Sequence, residues 1–392
     1  MACNSPKSSG MSLVSWLERS LSPAPDLIVL GFQELLPQQR AVLAPLTLQS
    51  WWQNNIRRGS QNIKNLDDWL HLAETALKEI HGQGATYSPL FMSKMCAIGI
   101  IVFAKSGTKT SSLASATIGT GLMGVYPNKG AVALSITLHS PRSEKMRICL
   151  VSNHLGAHAG EKNCIWRNKE SQHILDQLIF YPLDKDSGGE LTKVDNHSIC
   201  WFFGDLNYRL RGDSEKWSVE KHQGTKSSPG FPKRSEVLEW IRDLNISSLM
   251  GRDELANLRA NFHSALGKFD EAPVTFVPTY KFDIKSVESP REYSTTRLPA
   301  YCDRILFRRK PAILDQVEVK VDCLYYVSVT CYNLSDHDPV IGLYRFDIVD
   351  DYLPASIQVI GVWKDRARFI YRVNAAKAIV LLLAVLFTVY IV

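Results

Sequence analysis

Apolar positions follow two kinds of pattern along this chain. Asp26–Gly31 (DLIVLG) is a short β-rich run without alternation, as a strand buried on both faces would read. Between 62 and 81, Leu66, Trp69, Leu70, Leu72, Ala73 and Leu77 recur at helical spacing and predict an amphipathic helix. Branched and aromatic runs predict strands over Cys96–Phe103, Gly130–Leu138, Arg147–Val151 and Ser198–Phe203, and again over 303–308, 317–328 and 339–346. Helices are expected over 161–180, 234–244 and 252–266. Strands that both cluster and interleave with helices predict a layered α/β sandwich around one core.

The last residues break this pattern. Ala378–Val392 (AIVLLLAVLFTVYIV) carries no charge and is apolar all round. With Ala375, Ala376 and a snorkelling Lys377, it would make roughly 27 Å of helix at ~1.5 Å per residue, close to a thin bilayer such as that of the endoplasmic reticulum. Lys364, Arg366, Arg368, Arg372 and Lys377 precede it, which by the positive-inside bias puts the large domain in the cytosol. The expected organisation is therefore a domain over 1–348, a basic juxtamembrane segment over 349–374 and a tail anchor over 375–392.

Composition narrows the picture a little further. Of 392 residues, 45% are hydrophobic and 21% charged, which excludes wholesale disorder, collagen and coiled coil. The net charge of +6 suits anionic partners without choosing among them. Eight cysteines show no CxxC pair, and several sit in apolar runs, as reduced cytosolic thiols do. No signal peptide is visible in MACNSPKSSG.

Polar residues fall repeatedly just after the strand-like runs, where loops carry function on a rigid scaffold. Glu34, Asp205, Asp303 and Asp336 are hard oxygen ligands suited to Mg²⁺, or acid/base groups. His154 and His337 can hydrogen-bond phosphate or carry protons, and Lys129, Lys281 and Arg304 can neutralise phosphate charge. A Walker loop and a GxSxG elbow are absent from the sequence. Together these parts suit a metal-assisted phosphoryl hydrolase.

In their order, the motifs resemble those of the inositol polyphosphate 5-phosphatases of the Mg²⁺-dependent exonuclease–endonuclease–phosphatase superfamily. FFGDLNYRL (202–210) and RLPAYCDRILFRR (297–309) carry most of the likeness, supported by GFQEL (31–35), PNKGAV (127–132), VPTYKFD (277–283) and LSDHDPV (334–340). The resemblance spans about 12–346 and implies a four-layer α/β/β/α sandwich. It implies that Glu34 ligates Mg²⁺, Asp205 activates the attacking water with Asn207 orienting it, and His154 contacts the scissile phosphate. Asp303 would hold His337 in its working tautomer, with Asp336 completing the polar centre. Tyr280, Lys281 and Arg304, with Lys129, would grip the neighbouring 4-phosphate. The implied activity is hydrolysis of the 5-phosphate of phosphatidylinositol 4,5-bisphosphate or 3,4,5-trisphosphate, with soluble inositol polyphosphates as further candidates. The implied setting is the cytosolic face of a membrane, and no nucleic-acid partner is expected. Gly121–Tyr126 is expected either to dip into the membrane or to form a buried turn.

Three departures stand against the resemblance. The family's opening Trp-Asn-containing strand has no counterpart, so a truncated start and a catalytically impaired, lipid-binding protein form the alternative expectation. Asp338 stands where the family has Arg or Lys and is expected to repel phosphate, and Tyr301 replaces a Trp.

Overall fold

The structure is a computed structural model that describes residues 12–18, 24–36, 64–82, 84–139, 145–184, 190–211, 232–260, 264–283, 291–310, 318–329 and 335–349. The expected juxtamembrane segment beyond 349 and the expected anchor at 375–392 lie outside the described residues. In chain order the first elements are α1 (Val14–Leu17), β1 (Leu27–Phe32), α2 (Lys64–His81), β2 (Tyr87–Met95), β3 (Ile98–Lys105), β4 (Thr110–Gly119), β5 (Gly130–His139) and β6 (Lys145–His154). They are followed by α3 (Glu161–Gln177), β7 (Ile179–Pro182), β8 (Thr192–Lys193), β9 (Ile199–Asp205), α4 (Arg234–Arg242), α5 (Ile246–Arg252) and α6 (Glu254–Ala260). The last strands are β10 (Asp270–Glu271), β11 (Asp303–Arg309), β12 (Glu318–Ser328) and β13 (Val340–Val349).

These strands build an α/β fold with several sheets: a three-stranded sheet in the order β1-β3-β2, an eight-stranded one in the order β10-β11-β9-β6-β5-β4-β7-β8, and the pair β12-β13. Among the described residues only β6 and β9 run parallel within the large sheet, and α3 lies in the long connection that such a pair requires. The two larger sheets meet face to face. The Ser152 hydroxyl on β6 donates to the Gly99 carbonyl on β3 at 3.1 Å. A Cβ at Gly31 would stand 2.7 Å from the Phe203 ring, so this contact needs glycine. On the outer face of the small sheet, Leu66, Trp69, Ala73 and Leu77 of α2 bury against Phe32, Ile101 and Phe103. On the outer face of the large sheet, Cys164, Ile174 and Leu175 of α3 pack with Ala131, Ala133, Cys149 and Val151. Residues of β3 and β5 are buried almost throughout, as strands covered on both faces are.

Several expectations shift in the structure. The run at 26–31 is a half-buried strand, and among the described residues it pairs with β3 alone. The helix expected over 161–180 stops at Gln177, because Ile179–Pro182 pairs with β4 and β8. The helix expected over 252–266 is divided, with α5 before it and α6 ending at Ala260. Strands β2 and β4 carry enough polar residues to have escaped the apolar pattern. An apolar groove of about 290 Å³ runs between β1 and β13, walled by Val29, Leu30, Trp201, Val340 and Tyr344, and reaches Asp303 at one end.

Contacts divide the chain into one unit of residues 1–311 and 321–347 and a second of 312–320 and 348–392, of which only 318–320 and 348–349 are described. Among the described residues no helix is long and apolar enough to cross a membrane.

Candidate active site

Strand register assembles the site. On β5, β6, β9 and β11, Gly130 lies opposite His154, His154 beside Asp205, and Asp205 opposite Asp303. Lys129, immediately before Gly130, extends the row. Four residues scattered over 175 positions of sequence thus stand at one rim of one sheet. The peptide around His337 joins them through the Tyr280–His337 bridge, which brings the 335–338 turn against the rim.

The contacts are close. His337 Nδ1 lies 2.8 Å from Asp303 Oδ2, which also accepts a hydrogen bond from the Thr279 hydroxyl at 2.7 Å. His154 Nε2 stands 3.3 Å from Asp205 Oδ2 and also touches the Lys129 ammonium. Asn207, at φ 58°, donates its backbone N–H to Asp205 Oδ1 at 3.0 Å and its side-chain amide to the Leu155 carbonyl. This left-handed turn is one that asparagine tolerates. Gly204, at φ 126°, precedes Asp205, and a Cβ there would approach the Asn153 carbonyl to 2.3 Å.

Burial and charge set the protonation states. Burial pushes the Asp205 carboxyl up, but the His154 hydrogen bond and the His337 and Lys129 charges outweigh it and hold Asp205 well below the usual range. Burial lowers His337, yet Asp303 above all, with Asp205 and Asp336, raises it to about 9, so it is an imidazolium at neutral pH. Burial and the Lys129 charge lower His154, which is neutral. Burial lowers Lys129 too, against the pull of Asp205, Glu34 and Glu170.

Asp205, Asp303 and His337 form the tight potential ligand group, with donor atoms all within 4.8 Å. Asp303 Oδ1 is buried and has no protein partner. An ionised Asp205 and this orphaned carboxylate oxygen fit a hard divalent cation. Glu34, expected as the ligand, lies outside that trio. It sits at φ 56° just past β1, near enough to act on the charges of Lys129 and His154. Asp336 also lies outside the trio, in an ion pair with Lys281 at 2.9 Å.

Arg304 corrects the expectation placed on it. Its guanidinium is fully buried on the opposite side of β11 from Asp303, as strand alternation requires, and binds Asp253 at 2.8 Å and Glu271 at 2.6 and 2.7 Å. It braces the fold and cannot grip a phosphate. The Tyr280 ring packs between His337 (centroids 4.6 Å apart) and the Arg209 guanidinium, 4.2 Å away. Arg209 is the basic residue that the sequence reading passed over, although it stands inside FFGDLNYRL; it donates to the Asn207 side-chain oxygen. Asp338 does not face the site as a lone charge, because Arg291 lies 2.7 Å from it. Tyr301 is buried and donates to the Phe276 carbonyl. Leu122, Met123 and Val125 are exposed at 68%, 90% and 71%, which excludes the buried turn.

The chain is 28% identical to a type II inositol 1,4,5-trisphosphate 5-phosphatase of Mus musculus, over 85% of this chain and 28% of that protein. It is also 28% identical to a probable inositol polyphosphate 5-phosphatase of Schizosaccharomyces pombe, over 85% of this chain and 26% of that one. It thus spans about a quarter of the length of these two relatives. Among solved structures, the 5-phosphatase domain of a synaptojanin, in complex with inositol (1,4)-bisphosphate and calcium, shares the fold at a TM-score of 0.63 and 23% identity, covering 95% of this chain and 89% of that one. A Cimex nitrophorin in its ferrous NO complex shares the fold as well, at a TM-score of 0.51 and 16% identity, covering 88% and 95%. Fold alone therefore does not choose the chemistry. The model of the Endonuclease/Exonuclease/phosphatase family 2 matches residues 1–343, and the chain belongs to that family.

Proposed function

We propose that this chain hydrolyses the 5-phosphate of phosphoinositides, phosphatidylinositol 4,5-bisphosphate and 3,4,5-trisphosphate among them, by direct attack of water. The observation that carries the reading is the row of half-buried Lys129 with buried His154, Asp205 and Asp303, closed by buried His337. In a phosphate monoester the transition state is loose, so catalysis consists mostly of positioning and charge. Asp205, ionised and oriented by the Asn207 N–H, takes a proton from water as its oxygen bonds to phosphorus. The bond to the inositol oxygen breaks, that oxygen leaves as a hydroxyl with a proton from solvent water, and Asp205 returns its own proton to solvent. The His337 imidazolium, held by Asp303, places positive charge where the phosphoryl oxygens develop negative charge. Lys129, on His154, and Arg209, on Asn207, add to this field, and neutral His154 is a hydrogen-bonding partner for the scissile phosphate. Mg²⁺ is the cation proposed for Asp205 and Asp303, with Glu34 alongside, and would neutralise phosphate charge.

The exposed Leu122, Met123 and Val125, next to Lys129 in sequence, support a lipid-embedded substrate. The apolar run at 375–392 supports a tail anchor at the cytosolic face of the endoplasmic reticulum, a reading that rests on sequence. The test is phosphate release from vesicles containing phosphatidylinositol 4,5-bisphosphate, with Mg²⁺ or with chelator. Asp205→Asn should lower the rate at least about 100-fold while the melting temperature holds. Lipid binding without release by the wild-type protein would give the place to the impaired, lipid-binding alternative.

A further inference from the structure

We propose that Arg291 is a positioning residue for His337, acting as a clamp on the turn that carries it. The inference deepens the phosphatase reading and rests on it for the role of His337. One guanidinium nitrogen of Arg291, Nη2, lies 3.0 Å from the Ser335 carbonyl, 3.0 Å from the His337 carbonyl and 2.7 Å from Asp338 Oδ1. The guanidinium stacks on the Phe282 ring at 4.1 Å, and that ring lies on Tyr293 with centroids 4.3 Å apart. The Phe282 ring thus supports the guanidinium while its Nη2 holds the turn.

Other ties complete the frame. Asp338 N–H donates to the Thr279 carbonyl at 2.8 Å, Phe282 N–H to the Asp336 carbonyl at 2.9 Å, and His337 N–H to the Ser335 hydroxyl at 3.1 Å. Among these ties Arg291 alone reaches the carbonyls on both sides of the His337 backbone and the carboxylate that follows. Its purpose is visible in what the turn delivers, since His337 Nδ1 must lie 2.8 Å from Asp303 Oδ2, which Thr279 also engages. A shift of about 1 Å in the turn would break that arrangement. Asp338 is buried close to Asp303, and the Arg291 charge makes a second carboxylate tolerable there.

The test compares wild type with Arg291→Gln, Arg291→Lys and Asp338→Asn by two readouts. On a soluble inositol polyphosphate, Arg291→Gln should lower kcat about 10–100-fold, as loss of an outer partner does, while KM stays within about threefold. Asp338→Asn should retain most activity, because Arg291 still holds both carbonyls, and Arg291→Lys should fall between the two. By NMR of ¹⁵N-labelled histidine, the His337 ring nitrogens should move in Arg291→Gln. The proposal is overturned if Arg291→Gln keeps kcat within about threefold of wild type, or if the His337 signals stay in place. An inert wild type would sink the phosphatase reading, and the His337 signals would still decide the clamp. Should Arg291→Gln fail to fold, Arg291→Lys is read in its place, and a kcat equal to wild type or unmoved His337 signals overturns the proposal.

Discussion

At the scale of residues, the site is a lesson in how neighbours set protonation. His154 and His337 are both buried at the same rim, yet their charges differ because Lys129 faces one and Asp303 the other. For His337 the folded value of about 9 lies above its ordinary 6.5. A raised value means that the folded state holds the proton more tightly than the unfolded chain does. The stabilisation is therefore full below about pH 6.5, fades through the interval and is gone above about pH 9. In chelator, the gap in melting temperature between wild type and His337→Gln should narrow steadily from pH 6 to pH 10. A gap that stays constant would refute the assigned charge.

At the scale of elements, register does the assembling. Adjacent β6, β9 and β11 present His154, Asp205 and Asp303 side by side because a strand pair fixes which residues share a level. The same alternation sends Arg304, one residue further on, to the other face of β11. There it forms a buried cluster with Asp253 and Glu271, to which Arg259 and Tyr326 also bind, at 2.9 and 3.0 Å from Glu271. Removing one member of such a cluster leaves uncompensated buried charge, at a cost of roughly 3–5 kcal/mol. Arg304→Met should therefore lower the unfolding free energy by about that amount in urea titrations. Activity per folded molecule should remain within a fewfold of wild type, whereas a phosphate-gripping Arg304 would show instead a large rise in KM. The motif RLPAYCDRILFRR was legible as a site, but which of its charges faced substrate depended on strand parity relative to Asp303.

At the scale of the whole molecule, two stacked sheets with helices outside leave the proposed catalytic row at one rim. The exposed loop of Leu122, Met123 and Val125 leads directly to Lys129 in that row. If this loop enters lipid, Leu122→Ser with Met123→Ser should lower turnover on phosphoinositide vesicles about tenfold or more, each buried apolar side chain being worth roughly 1.5–3 kcal/mol. Turnover of a soluble inositol polyphosphate should be unchanged, and equal losses on both substrates would remove the loop from the membrane.

By itself the sequence determined the family, the positions of most central strands and the candidacy of Asp205, Asp303, His154 and His337, because apolar runs and ordered motifs are local properties of a chain. It could not set charges against one another. That Arg304 is spent on Asp253 and Glu271, that Asp338 is answered by Arg291, that Asp336 pairs with Lys281, and that Arg209 rather than Arg304 stands beside Tyr280 were decided by tertiary structure. The reason is physical: a side chain's role follows from which opposite charge lies within a few ångströms and how much water is left around it. Both depend on residues tens to hundreds of positions away.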